Sequence, residues 1–254
     1  MRLDGAVVLV TGASRGIGAA TAELLADRGA TPVLVARDAP ALADVARRTG
    51  GTPLPADLSR SGAAAEVVER ALAAHGRLDG VVANAGLGHA GPVAAMTDER
   101  VAALVDLNVR GTLELARAAA AAFAAHPAGP GGRGIVFVTS IAGAVGVPGE
   151  SVYSATKAAV EAFAVVLREE LRPGGVGVST VLPGVVDTGF FEARGLPYDR
   201  RVPRPVPPAR VAAAVVRALE RGTPRTVVPR WLAFPAWLSA ALPGPYRALA
   251  RRFS

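Results

Sequence analysis

Short runs of β-branched and aliphatic residues alternate along the chain with longer segments rich in alanine, leucine and arginine. This alternation is typical of repeated β–α–β units, which build a parallel sheet covered by helices on both faces. The pattern predicts an α/β fold with a doubly wound parallel sheet in three αβα layers, formed as a single domain over residues 1–254. The apolar runs predict seven strands, at residues 6–10, 32–36, 52–56, 80–84, 134–140, 177–183 and 226–229.

Helices are expected between the strands, with start signals such as Ser61 and Thr97. Two segments interrupt the alternation. Residues 126–134 are a glycine and proline loop to which we assign no function. Residues 188–208 form a long irregular stretch after the sixth strand. Long irregular segments in compact domains are more often functional than not, so we predict that residues 188–208 form a substrate lid.

Composition limits the classes of protein to which the chain can belong. No apolar run reaches the 18 or more residues of a bilayer-spanning helix, and the N-terminus lacks the pattern of a secretion signal. There is no cysteine, and His75, His89 and His126 are scattered without ligand spacing. We therefore expect a cytoplasmic protein with no metal site and no nucleic-acid partner.

The net charge of +7 is concentrated in the C-terminal quarter. Residues 194–254 hold 12 arginines against Asp199 and Glu220, a balance of +10, whereas residues 1–193 carry a balance of −3. Residues 230–254 form a basic aromatic tail with both tryptophans. Three interpretations stay open: the tail packs as core across the substrate cleft or a neighbouring subunit, it lies on an anionic membrane surface, or it docks an acidic partner such as an acyl carrier protein.

A glycine-rich turn, TGASRGIG, follows the first predicted strand and leads into a helix. Glycines let the backbone turn tightly and approach a pyrophosphate, which then lies against free N–H groups at the positive end of the helix dipole. Glycines also serve in ordinary turns, but this position between strand and helix favours a Rossmann-like dinucleotide site. The residues of this turn assigned to cofactor binding are Gly12, Ser14, Arg15, Gly16, Ile17 and Gly18.

The end of the second strand bears on the choice between NADP and NAD. An acidic residue there hydrogen-bonds a ribose 2′-hydroxyl, whereas an arginine accommodates a 2′-phosphate. The strand ends in Ala36-Arg37, and Arg15 supplies a second cation, so NADP is favoured. Asp38 keeps NAD open as the alternative, because a shift of one residue would place a carboxylate near the ribose.

More polar residues follow the later strands, at the carboxyl ends where open parallel sheets bind ligands. Asp57, with Leu58 beside it, follows the third strand, and Ser140 ends the fifth. Asn108 differs from them, since it lies inside a predicted helix. The fourth strand is followed by Asn84, Ala85 and Gly86.

Lys157 is the only lysine in the sequence, against 27 arginines, and lies four residues after Tyr153. Residues at i and i+4 share one face of a helix, so the phenol and the ammonium can point into one site. A lysine is a compact point charge whose pKa shifts on burial, whereas an arginine keeps its proton. Singly, the pair could be surface amphipathicity, Ser140 a cap, Asn108 a satisfied amide and Asp57 an N-cap; together they predict a catalytic site.

These motifs, in this order, resemble the short-chain dehydrogenase/reductase family of the compact single-domain type, over roughly residues 5–190. TGASRGIG resembles the family's TGxxxGxG turn, NAG its fourth-strand motif, and Ser140 with Tyr153-x-x-x-Lys157 its catalytic signature. The resemblance implies that Asp57 contacts the adenine. It implies a catalytic tetrad of Asn108, Ser140, Tyr153 and Lys157. It implies a nicotinamide carboxamide contact at Pro183, Gly184, Val186 and Thr188.

The resemblance also implies roles for the tetrad. Lys157 is expected to lower the pKa of Tyr153 and hold the nicotinamide ribose, Ser140 to bond the substrate oxygen, and Asn108 to order a water. A tyrosine pKa of about 10 has to fall by roughly 3 for work near neutrality, or about 4 kcal/mol. One charge about 4 Å away at an effective dielectric of about 20 supplies about that much. Tyr153 then protonates a carbonyl oxygen as hydride arrives.

The predicted lid mixes Phe190, Phe191, Leu196 and Tyr198 with arginines, which suggests an apolar pocket with a cationic rim. We therefore expect an NADPH-dependent oxidoreductase that reduces a ketone, such as a 3-oxoacyl thioester, a polyketide or another lipophilic ketone, to an alcohol.

Two other functions stay open. One is an NAD(P)-dependent alcohol or steroid-type dehydrogenase working in the oxidative direction, or an isomerase on the same scaffold; the other is a non-enzymatic NADP-binding protein that acts through its tail. The intact set of Ser140, Tyr153 and Lys157 argues against the latter. The resemblance further implies a homodimer or homotetramer built on the long helices that begin near Thr97 and Ser151.

Overall fold

The structure is a computed structural model that describes residues 1–126, 131–196, 198 and 203–250, apart from the side chains of residues 249 and 250. The seven predicted strands are present in one parallel sheet, in the order β3-β2-β1-β4-β5-β6-β7. The strands are β1 Val7–Thr11, β2 Thr31–Ala36, β3 Thr52–Pro55, β4 Gly80–Ala83, β5 Arg133–Val138, β6 Val176–Pro183 and β7 Arg225–Val228.

Helices connect the strands and cover both faces of the sheet. The helices are α1 Gly16–Asp27, α2 Ala39–Thr49, α3 Ala63–His75, α4 Asp98–Val105, α5 Thr112–Ala125, α6 Ile141–Val145, α7 Ser151–Leu171, α8 Phe190–Ala193, α9 Pro208–Arg221, α10 Ala233–Ala241 and α11 Pro243–Ala250. Shorter turns are the 3₁₀ segments Val93–Ala95, Arg172–Gly174 and Arg230–Leu232, and a π-helical segment, Asp106–Gly111, that joins α4 to α5.

The core consists of two apolar layers, one on each face of the sheet. Because successive side chains of a strand point to opposite faces, Val7 and Leu9 of β1 join one layer, while Val8 and Val10 join the other. Both layers are buried, which explains why the strands are largely apolar runs. Strand β6 also carries the buried polar residues Ser179 and Thr180.

The predicted strand 134–140 ends too late. The observed strand β5 stops at Val138, because the backbone and hydroxyl of Ser140 begin helix α6: the Ser140 Oγ accepts a hydrogen bond from the Ala142 amide at 3.1 Å. Of the glycine and proline loop at 126–134, residues 127–130 lie outside the described residues.

The lid segment 188–208 is not wholly irregular. It contains the short helix α8, and Val206 forms a parallel bridge with Val186. Residues 197 and 199–202 of the predicted lid lie outside the described residues. None of the described helices is both long enough and apolar enough to cross a bilayer.

Candidate functional site

A cavity of about 890 Å³ runs along the carboxyl ends of the strands, from the glycine turn after β1 to the lid after β6. The sequence-predicted site residues line this cavity, with the exceptions of Gly18 and Asn108. Those two are buried behind its wall. The segments that supply the lining are far apart along the chain, so it is the sheet topology that brings them together.

The glycine turn approaches its neighbours closely enough to require glycine. A Cβ on Gly18 would lie 2.1 Å from the Gly12 carbonyl oxygen, which backbone packing cannot accommodate. Gly12 and Gly16 have φ values of +65° and +57°, a left-handed conformation that favours glycine. The N-cap residue Arg15 makes no side-chain hydrogen bond to the start of α1, so amide donors at this helix end stay available to an anion. The turn therefore fits the pyrophosphate of a dinucleotide.

Thr11, in the same motif, ties the glycine turn to the segment after β4. Its hydroxyl accepts hydrogen bonds from the amides of Asn84 and Ala85 at 2.9 and 3.0 Å. The Asn84 amide group donates in turn to the Thr11 carbonyl at 2.9 Å. The sequence analysis quoted Thr11 within TGASRGIG but assigned it nothing. Thr11 ends strand β1 and Asn84 follows strand β4, its neighbour in the sheet, and this pairing of polar strand ends is the signal that could have identified Thr11.

Charged residues surround the end of the cavity where the resemblance places the adenine, beside β2 and β3. The Arg37 guanidinium lies 4.0 Å from the Asp57 carboxylate, and both side chains are largely exposed. Burial opposes ionisation of Asp57, but hydrogen bonds from Ser59 and the charges of Arg37 and Arg60 together hold its pKa below the ordinary value. The Asp38 carboxylate caps α2 by accepting from the Ala41 amide at 3.1 Å. At the end of β2, therefore, Arg37 presents a positive charge to the cavity, while the Asp38 carboxylate is hydrogen-bonded to the first turn of α2.

Tyr153 is buried at the other end of the cavity, in the first turn of α7. The expectation that the pKa of Tyr153 lies below its ordinary value is wrong, because burial of the phenol raises that pKa to about 12. A hydrogen bond with the Ser140 side chain and the charge of Arg194 act in the lowering direction, while the charge of Glu150 raises it further. Tyr153 is therefore a neutral phenol at neutral pH.

Lys157 lies one helical turn further along α7 and is also buried. Its Nζ donates to the Val138 carbonyl at 3.2 Å and is 5.8 Å from the centre of the Tyr153 ring. Burial lowers the pKa of Lys157 to about 8, so the group still carries its charge in most molecules at pH 7. A Cβ on Gly86 would lie 3.3 Å from this Nζ, so the glycine of the NAG motif leaves the ammonium room.

Asn108 lies in the π-helical segment, a distortion often found at functional sites. Its side-chain oxygen accepts from the Leu87 amide at 2.8 Å, and its nitrogen donates to the Leu87 carbonyl at 2.9 Å and to the Thr156 hydroxyl at 3.1 Å. These three bonds tie the segment after β4 to helix α7. Asn108 thus fixes the relative position of the two walls that carry Gly86 and Lys157.

The sequence analysis also missed an ion pair at the lid. The guanidinium of Arg194, just after α8, pairs with the carboxylate of Glu150, just before α7. The two side chains are only 9% and 14% exposed. Glu150 lies three residues before Tyr153, but no local spacing in the sequence connects it to Arg194, 44 residues away.

The described residues of the tail do not line the cavity, so packing across the substrate cleft is wrong for them. Packing against a neighbouring subunit, the other part of that interpretation, stays a prediction. Leu232 is buried in a small core with Leu182 and Val227, and α10 packs against α6. Trp231 and Trp237, in contrast, are 53% and 61% exposed. The tail is therefore anchored by one face and exposes an aromatic face.

The pattern of fold and site agrees with known proteins. The family described as short chain dehydrogenase matches residues 6–197, and the chain belongs to that family. It is accordingly an NAD(P)-dependent oxidoreductase of the short-chain dehydrogenase/reductase type.

Similar proteins share this chemistry. The ketoacyl reductase HetN of a Nostoc species is 33% identical over 89% of this chain and 79% of its own. A short-chain dehydrogenase from Sphingobium yanoikuyae, solved in complex with NADPH, is 33% identical, with a TM-score of 0.79 over 97% of this chain and 95% of that one. A family member from Burkholderia phymatum, solved with NAD, is 25% identical, with a TM-score of 0.84 over 94% of each chain.

Proposed function

We propose that the protein reduces a ketone to an alcohol with NADPH as hydride donor and Tyr153 as general acid. The observation that carries this proposal is that Ser140, Tyr153 and Lys157 line one cavity at the carboxyl ends of the strands, with Tyr153 hydrogen-bonded to Ser140. Burial raises the pKa of Tyr153, so the phenol holds a proton to give at neutral pH. The oxidation would use the same group as a base, and the assay of both directions below decides between them.

The chain's own residues supply the remaining requirements. A bound nicotinamide supplies the hydride. Ser140, hydrogen-bonded to Tyr153, donates to the substrate oxygen and so positions it for proton transfer. Lys157 supplies a positive charge beneath the site, which offsets the negative charge that forms on Tyr153 after it gives up its proton. Asn108 holds the two walls at a fixed separation through Leu87 and Thr156.

The proposed preference for NADP rests on two cations in the cavity lining, Arg15 and Arg37. A 2′-phosphate is recognised well by guanidinium groups, which form charge-assisted hydrogen bonds with it. Asp38, the residue that could have favoured NAD, accepts from the Ala41 amide of its own helix. The related Sphingobium yanoikuyae enzyme was solved with NADPH, in accord with this preference.

The cofactor preference is tested by comparing KM for NADPH and NADH in the wild type and in Arg37→Gln. We expect the wild type to prefer NADPH, and the variant to raise KM for NADPH about tenfold while leaving KM for NADH unchanged, since a charged hydrogen bond contributes about 1.5 kcal/mol or more. A wild type that prefers NADH would overturn the proposal.

The reaction direction is tested by a panel of ketones with NADPH, followed by the loss of absorbance at the reduced nicotinamide band. The kcat for reduction should hold steady across neutral pH and fall at alkaline pH, as Tyr153 loses its proton. The reverse reaction should instead speed up with pH. A reduction rate that rises with pH would mean that Tyr153 is not the acid.

For the substrate, we propose a lipophilic ketone such as a 3-oxoacyl compound or a polyketide. The relative from Nostoc is named a ketoacyl reductase, which favours this class. The apolar cavity lining includes Ile141, Val147 and Pro148 as well as the lid aromatics Phe190 and Phe191.

For the assembly, we propose a homodimer or homotetramer, with two exposed apolar surfaces as contact candidates. The first includes Val105 at the end of α4 and Val165 and Val166 on α7, of which the last two are more than half exposed. The second is the aromatic face of the tail, around Trp231 and Trp237, for which contact with a membrane surface or an acidic carrier protein is the alternative. Light scattering measures the molar mass of two variants, each with one of these surfaces made polar. The variant that falls to the mass of a monomer identifies the contact surface, and a surface whose variant stays assembled is not the contact.

A further inference from the structure

The ion pair between Arg194 and Glu150 joins the lid to the catalytic helix. Its carboxylate precedes α7, the helix that carries Tyr153, and its guanidinium follows the short lid helix α8. Both side chains are almost wholly buried, so water screens the pair little. Arg194 makes two further contacts on the lid: its Nε donates to the Leu196 carbonyl at 3.1 Å, and its guanidinium lies 4.4 Å from the centre of the Phe191 ring.

A chain of aromatic rings leads from this ion pair to the reacting phenol. The ring centres of Tyr153 and Phe190 are 5.7 Å apart, those of Phe190 and Phe191 are 5.8 Å apart, and those of Phe191 and Tyr198 are 5.3 Å apart. These distances fall within the range of favourable aromatic pairs. The lid therefore presents a continuous aromatic wall next to the proton donor.

Glycine at position 88 makes room for this wall. A Cβ there would lie 2.6 Å from Cζ of Phe190, and the Gly88 carbonyl is held by the Arg100 guanidinium at 2.6 Å. The Phe190 ring is thus confined between the segment after β4 and Tyr153. A ring confined in this way defines one side of the space that a substrate carbonyl has to enter.

We infer that Arg194 is a positioning residue that, paired with Glu150, holds Phe190 and Phe191 beside Tyr153 and so selects ketones that carry an aromatic or similarly broad apolar group. This inference rests on the proposed function. Because Arg194 is paired within the protein, its charge is committed to Glu150, and the substrate requires no anionic group at this place. The sequence predicted a cationic rim around the pocket, but at Arg194 the arginine is paired with a carboxylate. A flat apolar group packs against the wall, and its carbonyl oxygen reaches Tyr153.

Removal of the Glu150 carboxylate leaves the buried charge of Arg194 without its carboxylate. Removal of the Arg194 guanidinium takes away its contacts with the Leu196 carbonyl and the Phe191 ring. In either variant the lid loses its link to α7 and can move toward water. The aromatic wall then moves with it, while Tyr153 and Lys157 stay on α7. Loss of the pair should therefore weaken the binding of broad substrates and leave the binding of small ones largely unchanged. Because Arg194 and Glu150 also act on the pKa of Tyr153, kcat can change for both substrates alike. The contrast between the two KM values distinguishes positioning from general damage to the fold.

The experiment compares acetophenone and butanone as substrates, with NADPH, in wild type, Arg194→Met, Glu150→Gln and the conservative Arg194→Lys. We expect both charge-removing variants to raise KM for acetophenone about tenfold or more and to keep KM for butanone within about twofold. Arg194→Lys should recover much of the loss, and the double variant should be no worse than either single one, because the two residues act as a unit.

Arg172→Met is the matched control, because Arg172 pairs with Glu169 on the surface, where the two side chains are 77% and 65% exposed. It should leave both substrates unaffected. NADPH binding, followed by the fluorescence of the reduced nicotinamide, should be equal in every variant and shows that each is folded.

The outcomes separate this inference from the proposal on which it rests. If the wild type reduces neither ketone, the proposed function fails. If the wild type reduces both ketones but Arg194→Met has the wild-type KM for acetophenone, the positioning role is refuted and the proposed function stands. The same holds if KM for butanone rises as far as KM for acetophenone.

Discussion

Replacement of Lys157 by methionine should make the protein more stable while it removes catalysis. Burial lowers the pKa of Lys157 from 10.5 to about 8, which corresponds to about 3 kcal/mol of destabilisation of the charged form in the folded state. Methionine is similar in length and carries no charge, so it relieves this penalty. It also loses the hydrogen bond to the Val138 carbonyl, a loss of about 1 kcal/mol. The net gain is about 2 kcal/mol at pH 7, or about 4 to 8 °C in Tm for a chain of this size.

The gain should depend on pH in a defined way. Below about pH 8, Lys157 is charged in both the folded and the unfolded state, so the wild type carries the full penalty. Between pH 8 and 10.5 the folded state releases the proton while the unfolded state still holds it, and the penalty is progressively relieved. The stability of the wild type should therefore approach that of the variant as the pH rises.

The assay is thermal unfolding of both proteins, followed by circular dichroism from pH 6 to pH 10. Lys157→Arg is the matched control, because it keeps the charge buried and should show no gain. A methionine variant that is less stable than the wild type at pH 7, or a gain of equal size at pH 7 and pH 10, would refute the reasoning. A methionine variant that is more stable than the wild type at pH 7 would mean that Lys157 is retained for function although it lowers the stability of the fold.

Other predictions concern the same site and its supports. Lys157→Arg should lower kcat at least about tenfold although charge is retained, because the planar guanidinium cannot reproduce a point charge; steady-state kinetics measures this, and turnover near wild type would contradict it. Gly18→Ala should abolish saturable NADPH binding in fluorescence titrations, because the new methyl group would lie 2.1 Å from a carbonyl oxygen, whereas Gly174→Ala, with open space around it, should bind normally. Leu232→Ala should lower the free energy of unfolding by about 2 to 5 kcal/mol in denaturant titrations. Leu242 is 48% exposed, so Leu242→Ala should change the free energy of unfolding little. Equal effects of the two substitutions would mean that the tail is not anchored in the core.

The elements of this chain could be predicted because their signals are local. A strand that is buried on both faces is apolar over most of its length, as at Val7–Val10 of β1, and this run is visible without knowledge of the fold. The pairing of Tyr153 with Lys157 follows from the helical repeat alone. The boundary error at Ser140 has an equally local cause, since one hydroxyl accepts an amide hydrogen bond and turns the chain from strand to helix.

The properties that were missed or wrong depend on distances between remote segments. The pKa of Tyr153 was expected to fall because one charge was considered without the loss of solvent around the phenol. The ion pair of Arg194 with Glu150 joins two loops that no periodicity relates. The burial of Leu232 in the core likewise depends on Gly184, where a Cβ would lie 2.4 Å from the leucine side chain.

The sequence by itself determined which segments are strands and helices, where the glycine-rich turn lies, and which hydroxyl, phenol and ammonium could serve in catalysis. These follow from hydrogen bonding and burial within a few consecutive residues. Only the tertiary structure decided that burial keeps Tyr153 a neutral phenol and that Arg194 pairs with Glu150. Protonation and ion pairing depend on the water that is excluded and on the charges that come near, and both are fixed when distant parts of the chain pack together.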